Sequence, residues 1–344
     1  MPVNDDRGNA GSVESPVIHW VSQAGSGHQS AYDEVLRPLI ESHGFAVSDN
    51  RNKAAIAVFH ATLDFNYRAL LLSALRSIFG GPQTVALFLR PQNCLRPKKP
   101  SHWIKKILFK MMRRAPGISI LTILPFSIEP RLAEYADDWI NDPQLWDLEL
   151  CAPLVLKQPS RALAGQKPQI ALLGSLDRNK GFDQFASMWI GEAAIREKFQ
   201  FVAAGSLEAS LGSLGDAFVA AGGILINQRI SDARMFELFH DSFAVWCAYD
   251  REYDQASGIF GRAFQLGIPA IVTGHSFLER QSKALGHEHV ALSPDWTDYS
   301  HTSARLLLEW SPTRPVSAER RATVSGLRER DIARLVSILC PGAI

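Results

Sequence analysis

Short, uniformly apolar runs alternate with amphipathic stretches along almost the whole chain. Residues 17–22 predict a strand, and 29–43 a helix with Tyr32, Leu36, Leu39 and Ile40 on one side. Residues 55–60 predict a second strand, and 67–79 a helix stopped by Gly80-Gly81-Pro82. Strands at 84–89 and 119–124 follow, around a helix near 101–114. From 169 the alternation restarts, with strands at 169–173, 201–204, 224–226, 243–247 and 270–273. Helices at 182–197, 207–221, 231–240 and 261–266 separate them. Continuously apolar strands between helices are what a parallel sheet covered on both faces requires. The expected fold class is therefore α/β, two Rossmann-like βαβ domains facing across a cleft, the usual home of a ligand.

The same pattern sets the expected boundaries. Residues 1–16 form a polar tail, 17–150 the first domain, and 169–317 the second. Between them, 151–168 reads as a linker with Pro153, Pro159, Gly165 and Pro168, about which the domains would close. The segment 318–344 is helical, with the option of crossing back onto the first domain.

Composition narrows the class. At about 150 residues per domain, 344 residues make two units able to bury a real core. A content of 46% hydrophobic and 21% charged residues is that of a globular protein. No run of about 18 apolar residues occurs, so a spanning helix is excluded. The N-terminus lacks the basic-then-apolar layout of a leader, so the expected location is the cytoplasm, peripheral attachment to the inner membrane face being an option. Cys94, Cys151, Cys247 and Cys340 lie far apart, which excludes a disulfide scaffold or a zinc finger and points to buried free thiols. The net charge of +1 hides a strong segregation. Residues 65–128 hold eleven cations and no Asp or Glu, whereas 129–149 hold seven acids against Arg131 alone. One face of the first domain is therefore expected to be strongly positive.

Three segments of the second domain could carry chemistry. Gly174-Ser175-Leu176-Asp177-Arg178-Asn179-Lys180-Gly181 joins a buried strand to a helix. Glycine lets backbone N–H groups approach a ligand, a helix N-terminus adds partial positive charge, and Arg178 and Lys180 add full charges. Such a loop suits a pyrophosphate; the bland alternative is a surface turn with two solvated cations. It is neither GxxxxGK[ST] nor GxGxxG, so NTPase and dinucleotide readings have no motif support. Ala203-Ala204-Gly205-Ser206 leaves room at the end of the next strand. In the third segment, 253–263, Asp254 offers an acceptor for sugar hydroxyls, and Ser257-Gly258 offers backbone donors at the mouth of a helix. Gly267-Ile268-Pro269 then ends that helix and leads into a strand.

In this order and spacing, the three segments resemble the donor domain of GT-B glycosyltransferases, above all family 4 (group 1), over about residues 169–273. The family's G-x-L-x-x-x-K-G falls on Gly174, Leu176, Lys180 and Gly181, and the resemblance implies that Lys180 grips the donor diphosphate. Ser175 stands where the family has Arg, a charge that Arg178 is placed to supply. Asp254 falls on the family's first glutamate, and Arg262 on the second, which holds the nucleotide ribose. Ser231, opening the segment Ser231-Asp232 before a helix, is similar to the loop near the nucleotide base. The resemblance implies transfer of a sugar from a nucleotide-diphosphate donor to a glycan or lipid-linked acceptor. It implies no required metal or other cofactor, and it favours retention at the anomeric carbon. No Asp-x-Asp metal motif is present.

The first domain matches in outline. Gly25 and Gly27 lie in a loop placed where these enzymes keep a glycine-rich turn facing the donor. His28 beside them is a candidate for proton transfer or sugar contact, or a capping histidine. His60, with Asp64 four residues later, is an acceptor-side candidate or a satisfied structural histidine. The segment 97–116 places Trp103, Ile104, Ile107, Leu108, Met111 and Met112 at helical spacing, with Lys105, Lys106, Lys110, Arg113 and Arg114 between them. It reads as a helix adsorbed to an anionic membrane, or as a core helix whose polar side is basic. No nucleic-acid module accompanies the charge. Two rival functions remain: a non-catalytic scaffold in a membrane glycan assembly complex, favoured by Arg262, and a nucleotide-sugar epimerase of the same fold.

Overall fold

The structure is a computed structural model and describes residues 15–22, 28–50, 54–61, 67–145, 167–295, 299–312 and 317–341. It contains two parallel sheets of six strands each. The first is built from β1 (Val17–Val21), β2 (Ala46–Ser48), β3 (Ala57–His60), β4 (Gln83–Phe88), β5 (Ile118–Thr122) and β6 (Asp138–Trp139), in the order β2-β1-β3-β4-β5-β6. The second contains β7 (Gln169–Leu173), β8 (Gln200–Gly205), β9 (Ile224–Asn227), β10 (Ser242–Cys247), β11 (Ala270–Thr273) and β12 (His289–Leu292), in the order β12-β11-β10-β7-β8-β9. Chain order therefore reverses between β1 and β3 in the first sheet, and between β7 and β10 in the second. Ligands of open α/β sheets bind at such reversals, beyond the carboxyl ends of the strands.

The main expected elements form where the apolar pattern puts them, with two kinds of departure. Short edge strands β2, β6 and β12 are additions; β2 is half-buried throughout, so it lacks the uniformly apolar signature. The helix expected at 182–197 is broken at Glu192 into Phe182–Gly191 and Ala193–Lys198, because Glu192 takes an extended backbone.

The outer layer of the second sheet is aromatic. Phe182, Phe185 and Trp189 of the helix Phe182–Gly191 bury against Phe201 of β8, Trp246 of β10 and Phe218. Phe185 stacks on Phe201 at 4.5 Å and meets Trp246 edge-on at 5.3 Å. Each such ring contributes about 1.5–3 kcal/mol of burial. That packing fixes the start of the helix, and with it the loop that precedes it.

The last helix, Ser317–Leu339, returns to the first domain. Gln83 Nε2 donates to the Ile338 carbonyl at 2.9 Å, and Arg334 donates to the Trp139 carbonyl at 2.8 Å. Asp331 is fully buried and accepts from both the backbone N–H (3.1 Å) and the Nδ2 (2.8 Å) of Asn141. Burial raises its carboxyl pKa, against the Asn141 hydrogen bonds that lower it. The expected linker lies almost wholly outside the described residues, as does most of the expected tail.

Asn141→Leu tests this seam. It removes a donor from a buried carboxylate, which should cost about 1–3 kcal/mol at neutral pH. Without that donor the Asp331 pKa rises further, so the loss should shrink as pH falls through it and the carboxyl protonates. Denaturant unfolding of both proteins across the acid range measures the difference.

Candidate functional site

The loop leaving β7 turns at Gly174, whose φ of +96° is a conformation glycine adopts without strain. Its N–H donates to the Ala204 carbonyl at 3.0 Å, and Leu176 N–H donates to the Ser206 carbonyl at 3.0 Å, so this loop runs along the exit of β8. Gly205 makes that approach possible: a Cβ there would fall 1.5 Å from the Gly174 carbonyl oxygen. At the far end of the loop, a Cβ on Gly181 would fall 2.4 Å from the Ala248 carbonyl, which binds the loop to the exit of β10. The loop thus bridges the point where chain order reverses.

Between these glycines, Asp177 organises the turn. Its Oδ1 accepts from Lys180 N–H at 2.9 Å, and its carbonyl accepts from Phe182 N–H at 3.1 Å. Gly181 N–H donates to the Arg178 carbonyl at 3.0 Å. These bonds overturn one expectation: the amides leading into the helix are spent inside the turn and do not point at a ligand. Their effect is to fix Lys180.

The Lys180 side chain is half-buried and its ammonium lies 4.0 Å from the Tyr249 ring centroid and 5.0 Å from that of Tyr253. Desolvation lowers its pKa from 10.5 to about 8, with Asp177 opposing the shift and Arg90 adding to it. Lys180 is therefore not the solvated loop cation of the bland alternative. Beside it, burial pushes the Cys247 thiol up to about 12, so it stays protonated. Tyr249 and Ser257 share a hydrogen bond of 2.7 Å between their hydroxyls.

Ser257 caps the helix Gly258–Leu266, its Oγ accepting from Phe260 N–H at 3.4 Å and its carbonyl from Gly261 N–H at 2.9 Å. The Gly258 and Ile259 amides stand ahead of these positions, and the Ile259 side chain lies 3.8 Å from where a Gly174 Cβ would be. The mouth of this helix, the Gly174 turn and Lys180 are therefore neighbours, joined through Ile259 and the Ser257–Tyr249 pair.

No protein-family model matches the chain, and no curated protein matches it. Solved structures do. A sucrose-phosphate synthase from Thermosynechococcus elongatus superposes with a TM-score of 0.64, over 94% of this chain and 98% of its own, at 12% identity. Anabaena HepE, in complex with UDP, gives 0.62 over 94% and 100%, at 12% identity. WaaG, a glycosyltransferase involved in lipopolysaccharide biosynthesis, gives 0.54 over 95% and 100%, at 10% identity.

The chain has the GT-B fold. In this GT-B structure the other expected residues take varied positions. Asp254 is turned towards the helix Phe277–Ala284, its Oδ1 accepting Phe277 N–H at 2.5 Å. Burial raises its pKa, partly offset by that bond and by Arg280 and Arg96. Arg178 and Ser175 are exposed. Ser231 caps the helix Asp232–Asp241. Arg262 is close to that helix, its guanidinium 5.7 Å from the Phe236 ring and its Nη1 donating to Gln265 at 3.0 Å. His60 is buried with its Nε2 3.0 Å from Ser73 Oγ. His28 opens the helix His28–Ser42. Gly25, Gly27 and Asp64 lie outside the described residues.

Sequence reasoning missed the two tyrosines and the contribution of the first domain. Tyr249 and Tyr253, four apart after β10, carried a signal only as an aromatic pair at a strand exit. Arg90, just beyond β4, acts on both Lys180 and Tyr253. Its neighbours reach the same loop: Gln92 bonds Gln255, Lys98 pairs with Glu252, and Arg96 donates to the Arg251 carbonyl at 3.4 Å.

Gly205→Ala is the sharpest test of the bridge. The added methyl collides with backbone that is itself held to β8, so stability should fall by about 2 kcal/mol or more in chemical unfolding. An unchanged midpoint would mean that the two strand exits separate easily.

Proposed function

We propose that the chain is a glycosyltransferase, moving a hexosyl group from a nucleotide-diphosphate donor to a hydroxyl of a glycan or lipid-linked acceptor in cell-surface polysaccharide or glycolipid synthesis. The observation that carries this reading is Lys180, a half-buried ammonium held against the rings of Tyr249 and Tyr253 at the chain-order reversal of the second sheet. When the sugar–oxygen bond breaks, negative charge accumulates on the departing diphosphate. A fixed cation with little hydration to lose stabilises that charge more than a solvated one does. The Gly258 and Ile259 amides provide donors beside it, and Arg90 adds a second positive field from the first domain. The protein's own cations thus supply the counter-charge. Arg262, beside Phe236, is the residue that would meet the ribose or a phosphate as a donor if the nucleotide lies as the family resemblance implies.

The UDP bound in HepE and the glycosyltransferase activity of WaaG support the class, through fold alone. A screen of UDP-, GDP- and ADP-sugars by thermal shift tests it directly. Ligand at 100 times its dissociation constant stabilises the folded state by about 2.7 kcal/mol. A shift with a single nucleotide family identifies the donor; no shift with any of them favours the non-catalytic scaffold.

Lys180→Met keeps the apolar stem against Tyr249 and Tyr253 and removes the charge. Turnover should fall by about 100-fold or more. Because the wild-type ammonium loses its proton near pH 8 in the free protein, affinity for the nucleoside diphosphate should decline between pH 7 and 9. In Lys180→Met that decline should flatten. Wild-type turnover in the variant would remove the assignment.

A further inference from the structure

The helices Tyr67–Ile78 and Pro100–Met112 cover the same face of the first sheet. Leu70 and Ala74 of one and Phe109 of the other enter a single buried cluster with Ala86, Phe88, Ile118 and Ile120. Their C-terminal ends come together, since a Cβ on Gly117, shortly after the second helix, would lie 3.1 Å from Ser77 Cβ. Amphipathic helices ordinarily turn their other side, made polar, to water. These two do not. On the first helix and its end Leu72 is 61% exposed, Leu75 54%, Ile78 51% and Phe79 85%; on the second Trp103 is 52%, Ile104 53%, Ile107 60% and Met111 61%. The positions follow three- and four-residue steps, so each helix carries a continuous apolar stripe besides the one it buries.

The charge around the stripes has one sign. Neither helix contains an Asp or Glu, while Arg76, Lys105, Lys106 and Lys110 lie on them. The expected strongly positive face is moderated by ion pairs, however. Lys110 pairs with Glu134 at 3.2 Å and Arg113 with Asp137 at 3.3 Å, so the acidic segment that follows neutralises part of the basic run. Lys106 lies over the Trp103 ring at 5.2 Å, its stem extending the apolar surface.

We propose that this two-helix face docks on a lipid bilayer containing anionic headgroups, with the leucines, isoleucines, Trp103 and Phe79 entering the interface and the remaining cations facing phosphates. Apolar stripes flanked by lysine and tryptophan match the layered polarity of a membrane surface. A second copy of the chain is the poorer occupant, because it would bring like charges face to face. The helix Pro100–Met112 starts two residues after Lys98, which pairs with Glu252 across the cleft. Docking therefore brings the cleft mouth to the lipid surface, where a lipid-linked acceptor would enter; that last step rests on the transferase reading, and the docking does not.

The full chain should co-sediment with phosphatidylcholine vesicles containing phosphatidylglycerol, about tenfold better than with phosphatidylcholine alone. Added salt should weaken the binding without abolishing it, since the apolar stripes are not screened. Two triple variants, Leu72→Ser/Leu75→Ser/Phe79→Ser and Ile104→Ser/Ile107→Ser/Met111→Ser, change exposed positions and leave the buried cluster intact. Each should reduce partitioning by about tenfold or more while leaving the circular dichroism spectrum and the nucleotide-induced thermal shift unchanged. Wild-type protein that stays in the supernatant with both vesicle types would overturn the proposal. So would triples that bind like wild type, or a wild-type dimer that the triples convert to monomer, which would make a second copy the occupant.

Discussion

Holding one half-buried ammonium group against two aromatic rings is the constraint on which the loop between β7 and its helix depends. Transfer of a charge out of water is costly unless something replaces the lost hydration. For Lys180 the replacement is the faces of Tyr249 and Tyr253, each close enough for a cation–π contact, with Asp177 acting from nearby. The depressed pKa shows that the replacement is incomplete. A site left in deficit of negative charge is one that the diphosphate of the proposed donor would complete. The surrounding architecture reads as the means of maintaining that deficit: two glycines that let the turn seal against the exits of β8 and β10, and an aromatic layer that prevents its helix from shifting.

That rigidity has a consequence for how the charge reaches a ligand. A glycine-rich turn before a helix suggests an amide cradle, but here the amides of Lys180, Gly181 and Phe182 hold the turn together. In the proposed transfer the Lys180 cation would carry the counter-charge instead, with amide donors from another helix, Gly258–Leu266. The division is sensible in a parallel sheet. The β7 exit can be made stiff because the β10 exit supplies the open helix mouth, and the two are adjacent strands at the reversal.

Much of this was legible in the sequence, for a physical reason. Strands buried on both faces must be apolar throughout, so β1, β3, β4, β7, β8, β10 and β11 announce themselves; β2 and β6, at or near an edge and half-buried, do not. Gly174, Gly205 and Lys180 were legible because each occupies a strand exit, where small residues and cations have few other uses. The role of Asp254 was not, since nothing local shows that the N–H of Phe277 takes up one of its oxygens. Nor was the pairing of Lys110 with Glu134 and Arg113 with Asp137, partners 24 residues apart in sequence and joined only by the fold. On the helix Pro100–Met112 the outward residues Trp103, Ile107 and Met111 were legible, whereas the outward stripe of Tyr67–Ile78 was hidden for a subtler reason. Periodicity reveals that a helix has an apolar side, but a helix buried on one side and uncovered on the other has two.

The acid-free run from 65 to 128 then acquires a single explanation. Its two flanks form the outward helices, and its middle brings Arg90 close enough to act on Lys180. Two unit charges 4 Å apart near a protein surface interact by about 4 kcal/mol. A carboxylate within that distance of either place would therefore oppose an anionic ligand about as strongly as a cation favours it. Under the two proposals, excluding Asp and Glu from the entire stretch would keep both the cleft-facing and the outward surfaces receptive to phosphate. Of the acids placed immediately after it, Glu134 and Asp137 tie back to Lys110 and Arg113, whereas Glu129 reaches Arg280 of the second domain.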